Sequence, residues 1–190
     1  MSRNRTIVAL ATGTLLTCLL GMPAIANAET SPLYRLVDTA AQRLATAAPV
    51  AASKWIDGGP ITDAARGGQV LDAVGADATA HGVDATYVRS VFTDQIAATE
   101  GVEYTLFGQW KFAPATAPTS APDLASSRSA IDGFNKTMVD EIALQWNSLH
   151  GPSCAAELQD ATDAVANARG LDPLYRQGLT SATRSYCTLT

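Results

Sequence analysis

The chain has 190 residues, of which 47% are hydrophobic, and a formal net charge of −5 at pH 7. This length suits one domain with its own hydrophobic core, and the acidic excess gives no general electrostatic attraction for nucleic acid. Any anionic ligand must therefore be bound by a few well-placed cationic side chains.

The first segment, residues 1–28, is predicted to be a secretory signal peptide. Arg3 and Arg5 precede the apolar run IVALATGTLLTCLLGMPAIA, and small residues stand before a cleavage site after Ala28. A membrane anchor is the alternative, but two glycines and a proline interrupt a run that is barely long enough to span a bilayer. We therefore expect a secreted or periplasmic protein whose mature domain, 29–190, has no membrane attachment.

Helical periodicity recurs along the rest of the chain, whereas no segment alternates as a strand would. Aspartates stand where helices should begin, and glycines and prolines stand where they should end. The predicted helices are 31–48, a short segment 49–56 that starts at Pro49, and then 63–80, 85–111, 124–149, 153–170 and a last one from 172. The chain is therefore predicted to be an all-α single domain of about six helices.

Two cysteines, Cys154 and Cys187, remain once the predicted signal is removed. An even pair in an oxidising compartment is most simply a disulfide. A metal pair is the alternative, but a separation of 33 residues and only two histidines give no ligand set. The bridge would be structural and, on the entropic model, worth about 3–4 kcal/mol.

Helix 85–111 carries polar side chains on a face that its apolar residues predict to be buried. Thr99 lies at the centre of this face, Gln95 and Glu103 lie beside it, and Glu100 turns away from it. At 100° per residue, four side chains define the face: Val88, Phe92, Leu106 and Trp110.

Helix 124–149 repeats this anomaly, with Arg128 in the middle of its apolar stripe and Asn135 beside it. An unpaired buried charge costs several kcal/mol, so one interpretation is a buried ion pair between Arg128 and Glu103. Four cations with one carboxylate and one hydroxyl around a core favour a second interpretation, a pocket for a small polyanion. The other three cations are Arg43, Lys54 and Arg66.

The chemistry of such a pocket is restricted by what the sequence lacks. There is no serine–histidine or cysteine–histidine arrangement, no phosphate-binding loop and no metal cluster, and His81 and His150 stand beside glycines at helix ends. A reaction there would have to be driven by geometry and electrostatics, without a nucleophile or a cofactor.

These residues resemble the secreted subclass of the all-helical, type II chorismate mutases. The resemblance covers essentially all of 29–190, from LVDTAAQRL through PVAASKW, VFTDQIAATEGVEY and SRSAID to PSCAAEL and SYC. Its most specific part is an arginine followed by a lysine at +11, an aspartate at +9 and an arginine at +3: Arg43, Lys54, Asp63 and Arg66. A threonine with a glutamate at +4 and an arginine on the next long helix complete the pattern: Thr99, Glu103 and Arg128.

The resemblance implies that the protein rearranges chorismate to prephenate. By the same likeness, Arg43 and Arg128 would clamp one carboxylate of the substrate and Arg66 would bind the other. It also implies a helical homodimer in which each pocket lies inside one chain.

The remaining site residues take their expected roles from the same likeness. Lys54 and Glu103 would donate hydrogen bonds to the ether oxygen, which gains negative charge as its bond to carbon breaks. Thr99 and the backbone around Asp63 would shape the rest of the pocket.

The position four residues after Arg66 departs from the family pattern. Relatives often carry an acid or an amide shortly after that arginine, where it holds the substrate hydroxyl, but this chain has Val70 at +4. Gln69 points elsewhere by helical spacing. We expect that either Gln69 adapts to bind the hydroxyl or the backbone holds it.

Two other functions stay open at the level of sequence. One is a secreted helical binding module that has kept the fold without activity, although the presence of all six main pocket side chains argues against it. The other is an exported enzyme for another cyclic diacid, such as a dehydratase. That reaction needs a general base and an acid for the leaving group, and none is evident beyond Glu103.

Overall fold

The computed structural model describes residues 31–187, and helices account for nearly all of their regular structure. No strand occurs in this range, which confirms the all-α prediction. None of these helices is long and apolar enough to cross a membrane. The predicted signal peptide and its cleavage site lie outside the described residues. The helices are α1 (Tyr34–Ala45), α2 (Ala47–Asp57), α3 (Ala64–Ala80), α4 (Ala85–Phe112), α5 (Leu124–Leu144), α6 (Trp146–Leu149), α7 (Cys154–Ala168) and α8 (Pro173–Ala182).

Aspartate side chains start four of the helices. Each accepts a hydrogen bond from the backbone N–H three residues later, at 2.8–3.0 Å, which satisfies a donor that has no partner within the helix. These contacts confirm the predicted starts of α3, α4, α5 and α8. The capping residues are Asp63, Asp84, Asp123 and Asp172.

Two predicted helix boundaries are wrong. The first helix ends at Ala45 and the next begins at Ala47, so Pro49 is the third residue of α2 and not its first. A proline is tolerated there because N–H groups of the first turn have no partner within the helix. The predicted helix 124–149 is divided at Gln145, whose backbone (φ −99°, ψ 18°) leaves the helical range. With this break, the range 31–187 holds eight α-helices, of which α6 is a single turn.

The long helix α4 lies at the centre of the fold and packs against α2, α3 and α8, while α1 packs against α5 and α7. Gln95, on the buried face of α4, donates from Nε2 to the backbone oxygen of Ala40 in α1 at 2.9 Å. One polar residue of the anomalous face thus links two core helices. Fully buried apolar side chains fill the space between the helices, among them Leu36, Leu44, Phe92, Met138 and Ile142.

The last turns of α4 extend past the core. Leu106 and Trp110, which the apolar pattern assigned to the buried face, are only partly buried. Trp110 packs instead against Trp55 of α2 and against Phe107, with ring centroids 5.5 and 5.7 Å apart. The apolar stripe of α4 therefore extends beyond the part of this helix that other helices cover.

The contact between α8 and the rest of the core depends on a glycine. A Cβ atom at Gly178 would lie 2.9 Å from Cδ2 of Leu44 and 3.3 Å from Cγ2 of Val102. Both neighbours are almost completely buried. The absence of a side chain at this position is what allows α8 to approach α1 and α4 so closely.

The disulfide between Cys154 and Cys187 is present, as the sequence predicted. It joins the first residue of α7 to the segment after α8, with the Cα atoms 5.7 Å apart. Other contacts fix the same segment to α4: the buried carboxylate of Asp94 accepts hydrogen bonds from Arg184 and Ser185.

Reduction of this disulfide should destabilise the protein without unfolding it at 25 °C. On the entropic model a loop of this length is worth about 3–4 kcal/mol, which for a domain of this size corresponds to a fall in Tm of about 6–15 °C. Thermal melts followed by circular dichroism, with and without a reductant, measure the fall. The double variant Cys154→Ser/Cys187→Ser is the control and should melt at the reduced Tm in both buffers. An unchanged Tm in the wild-type protein would show that the bridge contributes nothing to stability.

Candidate active site

A cavity lies between α1, α2, α3, α4 and α5, and each of these helices contributes a charged side chain to its wall. Eight of the nine positions that the sequence assigned to the pocket line it: Arg43, Lys54, Asp63, Arg66, Val70, Thr99, Glu103 and Arg128. Apolar side chains complete the wall, namely Val50, Ile61, Ile96, Leu124 and Ile131, with Gly67 between them. Spacing alone could have indicated two of them, because Leu124 and Ile131 share a helical face with Arg128.

Gln69 is exposed and does not line the cavity, as its helical spacing indicated, whereas Glu100 lies elsewhere than expected. Glu100, expected to turn away, does line the cavity and is half-buried. The prediction failed for Glu100 because it assumed a narrow packed stripe, whereas an open cavity exposes a wider arc of α4.

Arg43 is the most deeply placed cation of the site, with 4% of its surface exposed. Its Nε donates to Oδ1 of Asn135 at 2.7 Å and its Nη1 to Oγ1 of Thr99 at 3.3 Å. Burial lowers the pKa of Arg43 to about 10, so the guanidinium stays charged at neutral pH. Because neutral groups hold it and no ion pair is formed within residues 31–187, its charge is available to an anionic ligand.

Lys54 and Glu103 form a buried pair on one wall of the cavity. The Lys54 Nζ lies 2.8 Å from Oε2 of Glu103 and donates a second hydrogen bond to the backbone oxygen of Ile61 at 2.5 Å. Burial raises the pKa of Glu103 above its usual range, although the hydrogen bond and the charge of Lys54 oppose the shift. Glu103 is therefore paired with Lys54, and the interpretation of a buried pair with Arg128 is wrong.

Arg128 and Arg66 lie at the rim of the cavity, where water reaches them. Arg128 Nη2 contacts Oδ2 of Asp63 at 3.0 Å, and Arg66 Nη2 contacts Oδ1 of Asp132 at 2.5 Å. The side chain of Arg128 is 42% exposed, because the face of α5 that it shares with Leu124 and Ile131 borders the cavity and not the packed core.

The cavity as a whole can bind a small dianion and donate hydrogen bonds to an atom inside it. Three arginines supply forks that match carboxylates, and exposed ion pairs such as those at the rim are weak enough for a ligand to replace. A protonated Glu103 and the ammonium of Lys54 could both donate to one interior oxygen. Among residues 31–187, no group of three His, Cys, Asp or Glu side chains is placed to hold a metal ion.

Known proteins are similar to this chain in sequence and in fold. The family model described as chorismate mutase type II matches residues 34–104. The chain is 58% identical to a secreted chorismate mutase of Mycolicibacterium smegmatis, covering 88% of this chain and 92% of that protein. It is 49% identical to a secreted chorismate mutase of Mycobacterium tuberculosis, covering 87% and 83%.

A solved structure gives the same result for the fold. The crystal structure of chorismate mutase from Burkholderia thailandensis superposes with a TM-score of 0.78 at 34% identity, covering 83% of this chain and 99% of that one. The agreement of the family model, the two relatives and the fold leaves one assignment: the chain belongs to the secreted subclass of the all-helical, type II chorismate mutases.

Proposed function

We propose that this protein is an exported chorismate mutase and that it converts chorismate to prephenate in the cavity lined by helices α1 to α5. The observation that carries the proposal is the convergence of four cations and one buried carboxyl group of raised pKa on a single cavity. Neither the binding module without activity nor the dehydratase gains support from the relatives, which are named chorismate mutases.

The reaction is intramolecular, so the protein needs to supply only conformation and charge. One C–O bond of the ether breaks while a new C–C bond forms in the same molecule, and no nucleophile takes part. The ether oxygen gains negative charge on the way to the transition state. We assign Lys54 and the protonated carboxyl of Glu103 as its two hydrogen-bond donors, because both groups are already fixed next to each other in a poorly hydrated wall.

The arginines would hold the two carboxylates of the substrate so that the reacting carbons meet. Arg43 is preorganised by Asn135 and Thr99, and it pays little in side-chain entropy when the ligand binds. Arg128 and Arg66 must instead exchange Asp63 and Asp132 for a substrate carboxylate. In this assignment Arg43 and Arg128 clamp one carboxylate and Arg66 binds the other.

Export and dimer formation belong to the same proposal. The named relatives are secreted, which supports removal of residues 1–28 and release of a mature domain, 29–190. A homodimer is supported by exposed apolar side chains at the neighbouring ends of α2 and α4, where Ile56 is 47% and Phe112 94% exposed.

Two measurements test export and dimer formation. Amino-terminal sequencing of the exported protein should give a sequence that begins at Glu29, and light scattering should give twice the mass of one mature chain. An exported protein that retains residues 1–28 would contradict the cleavage, and the mass of a single chain would contradict the dimer.

Removal of the Arg128 guanidinium should lower catalysis strongly. The mature domain should deplete the ultraviolet absorbance of chorismate and yield prephenate, and Arg128→Ala should reduce kcat/KM about ten- to a hundredfold or more, because a charge-assisted contact is lost. The matched control is Arg169→Ala, which breaks an ion pair with Asp38 outside the cavity. Near-wild-type activity of Arg128→Ala would remove this arginine from the site.

The role of Glu103 predicts a dependence on pH. An ionised carboxylate can only accept hydrogen bonds, so the residue must be protonated to act as a donor. Its pKa is already raised by burial, and a bound dianion raises it further, so kcat should fall as pH rises through the pKa of the complex.

Two variants separate this role from a structural one. Glu103→Gln donates at every pH, so it should keep substantial activity and lose the alkaline fall, whereas Glu103→Ala should lose most activity at all pH values. Profiles of kcat and kcat/KM against pH measure both effects. If the Gln variant is as inactive as the Ala variant, Glu103 serves only as the partner of Lys54.

A further inference from the structure

The segment that follows α8 is attached to the rest of the fold on two sides. The carboxylate of Asp94, on α4, accepts hydrogen bonds from Nε of Arg184 at 2.7 Å and from the hydroxyl of Ser185. Cys187 forms the disulfide to the first residue of α7. Tyr186 stands between these two attachments, and its side chain is completely buried. The position of this tyrosine in the core is therefore fixed from both sides.

The same part of α4 contacts Arg43 of the cavity. Gln95, the residue after Asp94, accepts a hydrogen bond from Nη1 of Arg43 through its backbone oxygen at 3.5 Å. Phe92, one turn earlier, has its ring centroid 5.9 Å from Cζ of Arg43. Burial lowers the pKa of Arg43, and among the titratable groups around it Tyr186 raises that pKa most. Because Tyr186 does not line the cavity, it approaches the guanidinium from the core side.

The hydroxyl group of Tyr186 is buried without a hydrogen-bond partner among residues 31–187, and so is Oε1 of Gln95. A buried polar atom without a partner destabilises the folded protein, because it has lost its contacts with water. A phenylalanine at position 186 would fill the same space without this loss. Stability alone therefore gives no reason for a hydroxyl at this position.

The guanidinium of Arg43 supplies such a reason. An oxygen near a buried cation stabilises it through its dipole, even where no hydrogen bond is formed. Burial raises the pKa of Tyr186, so its hydroxyl stays neutral at neutral pH. A neutral dipole can hold the cation in place without cancelling its charge, whereas a carboxylate in the same place would form an ion pair and compete with an anionic ligand.

We propose that Tyr186 is a positioning residue for Arg43, whose guanidinium its buried hydroxyl holds in the orientation that receives a substrate carboxylate. The inference rests on the proposed function of the cavity. Tyr186 touches no substrate, and its effect on the reaction passes through Arg43. The hydroxyl serves the activity although it lowers the stability of the fold.

The substitution Tyr186→Phe removes only this hydroxyl. We expect kcat/KM for chorismate to fall about two- to tenfold, the range for one neutral polar contact. Most of the fall should appear as a higher KM, because Arg43 binds a carboxylate of the substrate. The Tm, measured by circular dichroism, should stay at the wild-type value or rise. A merely structural hydroxyl would give a lower Tm and less folded enzyme with an unchanged KM.

Tyr87→Phe is the matched control, because it removes a hydroxyl that has a partner on the same segment. Oη of Tyr87 donates to the backbone oxygen of Tyr186 at 2.6 Å, and Tyr87 does not line the cavity. Loss of this hydrogen bond should lower Tm by about 2–4 °C. The KM for chorismate should stay within about twofold of the wild-type value.

A double-mutant cycle tests whether the hydroxyl acts through Arg43. Arg43→Met keeps much of the volume of the side chain but has no guanidinium to be positioned. Adding Tyr186→Phe to this variant should change kcat/KM by less than about twofold, whereas the same substitution in the wild-type protein has its full effect. Enzyme is used at high concentration in this assay, so that the low activity of the Arg43 variant is measurable.

Each other outcome contradicts the inference. A wild-type kcat/KM in Tyr186→Phe, a fall in its Tm with KM unchanged, an equal rise of KM in Tyr87→Phe, or the full loss in the Arg43→Met background would each overturn the role of Tyr186 while leaving the mutase activity intact. Failure of the wild-type protein to form prephenate would overturn the proposed function and this inference with it.

Discussion

The buried contact between Lys54 and Glu103 is the interaction from which the rest of the site is assembled. It joins α2 to α4, and the same ammonium group also holds the backbone oxygen of Ile61. The contact with Ile61 fixes the loop before α3. Two residues later in this loop, Asp63 caps α3 and binds Arg128 of α5. One continuous series of polar contacts therefore connects four helices around the cavity. Substitution of Lys54 would therefore remove a hydrogen-bond donor from the cavity and also the contact that holds the loop before α3.

The cations of the site fall into two groups that differ in how their charge is balanced. Arg43 is buried among neutral oxygen acceptors, so its charge is not compensated until an anion arrives, and the protein stabilises this state by three hydrogen bonds. Arg66 and Arg128 are compensated by carboxylates at the rim, where water weakens the pairs. An entering dianion can thus replace the aspartate partners of Arg66 and Arg128 at the rim and contact the buried guanidinium of Arg43 deeper in the cavity.

The parts of the fold that depend on neighbouring residues were predictable, and those that depend on distant ones were not. Aspartate caps and the period of α1 to α5 act within a few residues, so the sequence alone predicted most helix starts and placed the four cations, Thr99 and Glu103 around a pocket. The break at Gln145 and the partial exposure of Trp110 depend on what packs against each helix. The partners of Glu103 and Arg128 depend on contacts across 49 and 65 residues, and helical angles could not choose between them. The resemblance to a known family supplied the roles of individual side chains, which periodicity does not contain.

The close approach of α8 to α1 and α4 at Gly178 has a consequence for how substitutions can alter the activity of the protein. The two side chains that bound the space above Gly178 are Leu44 and Val102, and each is the direct chain neighbour of a cavity residue, Arg43 and Glu103. A methyl group added at position 178 would lie 2.9 Å from the side chain of Leu44 and 3.3 Å from that of Val102, so these two buried side chains would have to shift. Substitutions on α8, whose residues do not line the cavity, thus have a short mechanical route to the guanidinium and the carboxyl group. A search for variants with altered rates has reason to include this back surface alongside the walls of the pocket.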